Sequence, residues 1–127
     1  MGGIHSDEEL VSLINKTVKA VCQMSKDFQE RGNVSMVTLL KKSGYLRIAE
    51  SITEQLLKEY FEQHPDLINA WLRNSEDTRS SPNWYLSKPT GPNKQWVVGC
   101  FPDGTAHQFS QGAQACAFYV KRYLETL

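Results

Sequence analysis

The sequence lacks several features that would place a chain of 127 residues in a familiar class. Its apolar runs are short, such as Ala115 to Val120, whereas a membrane-spanning helix needs about 20 apolar residues. The first nine residues are acidic and lack the basic start and apolar core of a signal peptide. We therefore expect a cytoplasmic protein without a membrane-spanning segment.

Cysteine is scarce as well. The three cysteines, Cys22, Cys100 and Cys116, form no CxxC pair, so their spacing indicates neither a disulfide framework nor a zinc site. Cys100 and His107 fall on either side of a predicted hairpin, but structural zinc sites usually bring paired ligands at short spacing. No glycine-rich phosphate loop follows a predicted strand. We predict buried, reduced thiols, no metal site and no cofactor.

Net charge is formally zero, with 14 basic and 14 acidic residues, but the charge is unevenly distributed. Twelve acidic residues face nine basic ones from Met1 to Asp77, and five basic residues face two acidic ones from Thr78 to Leu127. The imbalance is largest between Arg47 and Asp77, with seven acidic and three basic residues. Nucleic-acid-binding proteins usually concentrate positive charge, so we expect no direct nucleic-acid partner.

Residues 6–77 have the pattern of capped amphipathic helices. Ser6 and Glu9 form a predicted capping box, which starts a first helix at Asp7. Its apolar side chains recur every three or four residues, and Gly32 is a suitable C-terminal glycine. The side chains predicted to face the core are Leu10, Ile14, Val18, Val21 and Phe28.

Three shorter helical segments should follow. Asn33 or Ser35 can cap the second helix, which Gly44 ends before one more turn from Tyr45 to Ala49. The third begins at a second capping box, Ser51 to Glu54, and ends near His64 because Pro65 disfavours a helical residue before it. The fourth runs from Pro65 to about Glu76, and its predicted inward side chains are Leu67, Ile68, Trp71 and Leu72.

The pattern changes after residue 83 to short aromatic strands. Three strands are predicted, at Trp84 to Leu86, Gln95 to Phe101 and Ala106 to Phe109, with a turn at Pro102-Asp103-Gly104 and a loop from Lys88 to Lys94. A last helix from Gln111 has five predicted inward residues: Ala113, Cys116, Ala117, Val120 and Leu124. The predicted fold is one α+β domain, residues 1–127. It has four to five helices within 6–77, then a three-stranded antiparallel meander with a C-terminal helix over 84–127.

The most distinctive charged feature is a row of carboxylates in the third helical region. Glu50, Glu54, Lys58 and Glu62 recur every four residues and should form one exposed row on that helix. Six acidic residues then form a candidate partner-binding site, which we call the acidic surface: Glu50, Glu54, Glu62, Asp66, Glu76 and Asp77. Such a row is either ordinary solvated surface or a docking surface for a basic partner.

Four aromatic residues near this region, Trp71, Trp84, Tyr85 and Trp96, should be mostly core, because aromatics supply much buried area to a small sheet. An exposed one would favour an interface anchor.

Two other functions have weaker support. A small nuclease or toxin would use His107 as acid or base with Arg79 and Lys88 as phosphate ligands. A DNA-binding regulator or antitoxin would use a helix-turn-helix within Val34 to Tyr60, although the carboxylates on its reading helix would repel phosphate.

Two stretches, His64 to Arg79 and Ser81 to Leu86, with the closing Ala115-Cys116-Ala117 helix, resemble small bacterial immunity proteins, specifically those of contact-dependent growth inhibition systems. The resemblance covers about the C-terminal half of the chain. It implies a cytoplasmic, non-enzymatic protein that binds a toxin domain delivered by a neighbouring cell and blocks its active site. Such toxins are often nucleases with basic substrate grooves, which an acidic surface would suit.

Overall fold

A computed structural model of the chain describes residues 7–77, 83–89, 92, 94–101 and 104–127. Within these ranges it contains seven α-helices and one three-stranded sheet. The elements, in chain order, are α1 (Asp7–Cys22), α2 (Met24–Arg31), α3 (Met36–Ser43), α4 (Tyr45–Ile48), α5 (Glu54–Gln63), α6 (Asp66–Asp77), β1 (Asn83–Ser87), β2 (Trp96–Phe101), β3 (Thr105–Phe109) and α7 (Gly112–Glu125). This order confirms the predicted α+β class.

The first predicted helix is two helices, so the prediction of one continuous helix is wrong. The break lies at Gln23, between α1 and α2. The indole N–H of Trp71 donates to the Cys22 carbonyl oxygen at 2.9 Å, and a side chain inserted into the helical hydrogen-bond ladder is a recognised cause of a break. Gly32 ends α2 in the left-handed conformation as predicted, while Ser6 lies outside the described residues.

The capping residues are partly as predicted. Of the two candidates for α3, Ser35 is the cap, and its hydroxyl accepts the Thr38 N–H at 3.1 Å. The predicted capping box at Ser51 is wrong, because Ser51 lies in a 3-10 turn, Ala49–Ser51, that precedes α5. Thr53 caps α5 instead and accepts the Leu56 N–H at 3.2 Å.

The sheet is the predicted antiparallel meander, in the order β1-β2-β3. Leu86 pairs with Val98, and Val98 pairs with His107, so these three residues point to the same face of the sheet. Leu86 and Val98 are buried on this face, against which α7 packs. Of the predicted turn between β2 and β3, Gly104 is described, whereas Pro102 and Asp103 lie outside the described residues.

Helix α6 packs beside β1 and covers its outer edge. The backbone N–H of Leu86 donates to the Ser75 hydroxyl at 2.8 Å, which satisfies a donor that an edge strand would otherwise leave unpaired.

One cluster of buried side chains runs through both the helical and the strand parts. All the predicted inward residues of α6 and α7 are buried, with Trp71 completely enclosed. The prediction for the first helix holds only in part: Val18 and Val21 are buried, whereas Leu10 and Phe28 are exposed. None of the helices in the described ranges has the length and apolar character needed to cross a membrane.

Candidate partner-binding surface

The acidic surface spans three elements: the 3-10 turn, α5 and α6. Glu50 lies in the 3-10 turn, so its predicted place in the row along the helix is wrong, because α5 begins only at Glu54. Glu62 lies in the last turn of α5. Asp66 begins α6 and Glu76 lies near its end. Asp77 closes α6, but its side chain is outside the described set.

Ion pairs divide these carboxylates into two groups. Glu54 Oε1 lies 2.7 Å from Arg122 Nη1, and Asp66 Oδ2 lies 3.9 Å from Lys26 Nζ. Glu50, Glu62 and Glu76 are exposed, and no lysine or arginine nitrogen in the described ranges lies within 4.0 Å of their carboxylates. Among the described residues, these three carboxylates are therefore exposed and outside any ion pair.

The Glu54–Arg122 pair is the better placed of the two. Both side chains are partly shielded, with 43% of Glu54 and 29% of Arg122 exposed, and the short distance indicates a charge-assisted hydrogen bond. Because the pair is still reached by water, its contribution to stability is at most about 1 kcal/mol. It joins the start of α5 to the last part of α7.

Arg122 also stacks on an aromatic cluster, which we define as Trp84, His107, Phe109 and Phe118. The guanidinium carbon lies 4.0 Å from the Phe118 ring centroid, a cation–π geometry. Phe118 in turn contacts His107 at 4.8 Å, Phe109 at 5.3 Å and Trp84 at 6.1 Å between ring centroids. The three apolar members are half-buried and His107 is exposed, so the cluster reaches solvent beside the Glu54–Arg122 pair.

Of the four aromatic residues predicted to be mostly core, one is fully buried and three are only partly buried. Trp71 is fully buried, as expected of a core residue. Trp84, Tyr85 and Trp96 are only half-buried. Large aromatic side chains that remain partly accessible are typical anchors of protein interfaces.

Phe118 and Arg122 were not singled out as a pair from the sequence. Their signal is a separation of four residues on α7, which places them on one face of the helix. Glu54, 68 residues earlier in the chain, gives no such local signal.

The nuclease arrangement is not brought together by the described geometry. His107 lies on β3, and Lys88 directly follows β1, at the opposite edge of the sheet. Two strand spacings, roughly 10 Å, therefore separate the two positions. The His107 ring instead packs on Phe118, and Arg79 falls outside the described residues.

Among the described residues, the buried thiols and the possible metal ligands form no second candidate site. Burial raises the pKa of both the Cys22 and Cys116 thiols, which keeps them protonated and unreactive near neutral pH. In the part of the chain that the structure covers, no group of three or more His, Cys, Asp or Glu side chains could hold a metal ion.

The helix-turn-helix alternative also meets a charge problem. Helix α5, the predicted reading helix, has Glu59 and Glu62 among its exposed side chains. Carboxylates at these positions would repel the phosphates of DNA.

Comparisons of the chain with protein-family models, with curated proteins and with solved structures find no match. Function is therefore inferred from the surface chemistry of this chain.

Proposed function

We propose that the protein is a non-enzymatic inhibitor of the immunity type, which binds a toxin domain in the cytoplasm and covers its active site. The observation that carries the proposal is the set of exposed carboxylates of Glu50, Glu62 and Glu76, which have no cation within 4.0 Å in the described ranges. Unpaired charge of one sign attracts a partner of the opposite sign and speeds encounter. The basic substrate groove of a nuclease toxin is such a partner.

The aromatic cluster supports a protein partner. Half-buried Trp84 and Phe118 offer apolar area next to the Arg122 guanidinium, and tryptophan and arginine are enriched among residues that dominate binding energy. Glu54 has a positioning role here, because its carboxylate holds Arg122 over Phe118. The toxin-facing surface would then combine exposed carboxylates with an aromatic anchor.

The direct test is co-purification with the polypeptide encoded immediately upstream of this protein, followed by binding measurements on single charge reversals. We expect Glu62→Lys and Glu76→Lys each to weaken toxin binding about tenfold in low salt, and less at high ionic strength. Glu8→Lys is the matched control, since Glu8 is an exposed glutamate on α1, outside the acidic surface. It should bind like the wild type.

Growth arrest provides the functional readout. Co-expression of the wild type should relieve the arrest caused by the toxin, and the two reversals should relieve it less. An unchanged affinity for both reversals, or an equal loss for Glu8→Lys, would refute the role of the acidic surface. Nucleic-acid cleavage by the protein alone, abolished in His107→Ala, would assign it to the nuclease class instead.

A further inference from the structure

A groove lies between the α3–α4 region and the C-terminal part of α7. Its volume is about 480 Å³, and small-molecule sites usually have volumes of roughly 300–1,000 Å³. Six apolar residues line it: Val37, Leu40, Leu46, Ala49, Leu124 and Leu127. Leu46 is 62% exposed and Val37 is 41% exposed, so part of this apolar lining is open to solvent. The groove therefore offers apolar contact area that the described residues leave uncovered.

A half-buried lysine, Lys121, lies in the same groove. Its ammonium donates to the Tyr45 hydroxyl at 2.6 Å and to the Ala49 carbonyl oxygen at 3.3 Å, and both of these residues also line the groove. Both acceptors are neutral, and no carboxylate oxygen in the described ranges lies within 4.0 Å of the ammonium nitrogen. An ammonium has three N–H donors, so a ligand anion would supply a third acceptor and a counter-ion together.

Three further charged residues line the groove, and all three are exposed: Lys41, Glu50 and Glu125. With Lys121 the formal charges of the groove cancel, so their positions rather than their number decide which ligand is favoured. Water and salt screen an exposed charge, whereas a charge shielded from water interacts more strongly with a bound ion. Lys121 is the one charged lining residue that is half-buried. The groove therefore favours a ligand whose charge is negative and is held at Lys121.

We propose that this groove binds an aliphatic monocarboxylate, whose carboxylate pairs with the Lys121 ammonium and whose hydrocarbon chain covers Leu46 and Val37. The ion pair includes a charge-assisted hydrogen bond from Lys121 to a carboxylate oxygen. The hydrocarbon chain and the exposed leucine and valine side chains remove apolar surface from water together, which favours binding. The inference is independent of the proposed function, because it needs no toxin. Of the acidic surface, Glu50 also lines the groove.

The test is isothermal titration calorimetry of the full wild-type chain with decanoate in low salt, below the concentration at which decanoate forms micelles. We expect a dissociation constant on the order of 100 µM, since the ligand is small and the groove is open. Decanol and decyltrimethylammonium have the same hydrocarbon chain with a neutral and a positive head group. Each should bind at least tenfold more weakly than decanoate, because neither accepts a charge-assisted hydrogen bond from Lys121.

Two substitutions locate the site. Lys121→Met removes the charge and keeps a side chain of similar shape, so decanoate binding should weaken at least tenfold while decanol binding stays unchanged. Lys42→Met is the matched control, because Lys42 is an exposed lysine on α3 that is not among the lining residues. Leu46→Asp should also weaken decanoate binding, since it places a carboxylate in the groove. Its control is Val11→Asp, because Val11 is 55% exposed on α1.

The comparison of the three ligands uses the wild type, so it stands even if a variant fails to fold. Absence of decanoate binding up to about 1 mM would overturn the inference. Decanol binding as tight as that of decanoate would overturn it as well, because the groove would then recognise no charge. Tighter binding of decyltrimethylammonium would assign the groove to cations through Glu50 and Glu125. Equal effects of Lys121→Met and Lys42→Met would place the carboxylate elsewhere. None of these outcomes bears on toxin binding, which is measured separately by co-purification.

Discussion

Gly99 in β2 offers a sharp test of the packing of the meander. It pairs with Tyr85 of β1, and a Cβ built at Gly99 would lie closer than 3.0 Å to three atoms of the Tyr85 side chain. The Tyr85 ring therefore occupies the space that a Cβ atom at position 99 would need, and real Cβ atoms essentially never come so close to another atom. We expect Gly99→Ala to be destabilising because it displaces this ring.

The magnitude follows from the crowding. Forcing one extra methyl group into a filled site costs typically 1–3 kcal/mol, so we expect a loss of about 2 kcal/mol. For a domain of this size, that loss lowers the melting temperature by roughly 6–12 °C. In a Tyr85→Ala background the Cβ has room. Alanine within a strand is then more stable than glycine by about 0.5–1 kcal/mol, so the sign of the effect should reverse.

Urea unfolding of the wild type, both single variants and the double variant measures this coupling. The four proteins should share one m-value, which shows that unfolding exposes similar surface in each. The double-mutant cycle should give a coupling free energy of about 2–3 kcal/mol between the two positions. If Gly99→Ala destabilises both backgrounds equally, the Tyr85 ring does not lie over Gly99 and the reasoning is wrong.

Three further predictions concern buried polar groups and a cap. Thr17→Val should raise stability by about 1–2 kcal/mol in urea unfolding, because the buried Thr17 hydroxyl has no hydrogen-bond partner in the described part of the chain; a lower stability would contradict this. Thr53→Ala should lower the free energy of unfolding by about 1 kcal/mol and Ser51→Ala should leave it nearly unchanged, because Thr53 caps α5. A larger loss for Ser51→Ala than for Thr53→Ala would identify Ser51 as the cap instead. Burial raises the pKa of the Cys22 and Cys116 thiols, so the folded chain keeps protons that the unfolded chain releases. The stabilisation from keeping these protons should be fully present below about pH 8.5, and the free energy of unfolding should fall as the pH rises above it. A free energy of unfolding that stays constant from about pH 8 to 10 would contradict the burial of the thiols.

Local signals predicted the element boundaries where the chemistry of the backbone decides them. Pro65 separates α5 from α6, Gly32 ends α2, and Ser35, one of two predicted candidates, caps α3. The same signals failed where a distant contact competes. The Ser51 capping box satisfied the sequence pattern, but the neighbouring Ile52 is fully buried, and the chain around it enters α5 through Thr53.

The break between α1 and α2 has the same origin. Periodicity favours one continuous helix, and the hydrogen bond that marks the break comes from Trp71, 49 residues later in the chain. No window of local sequence contains both partners.

In the candidate partner-binding surface, the location of the acidic residues was predictable from the sequence, whereas their ion pairs were not. Charge counting placed the acidic residues on the helical half, and all six lie on three elements there. Which carboxylates form ion pairs was not predictable, because Arg122 reaches Glu54 only when α7 packs against α5.

The sequence by itself determined the order of helices and strands, the α+β class and the excess of negative charge before residue 78, because these depend on local periodicity, turn residues and composition. The tertiary structure alone decided which charges are paired, which aromatic side chains reach solvent and that the first two turns of α1 extend beyond the core. These properties depend on contacts between residues far apart in the chain, which form only when the helices and the sheet pack together.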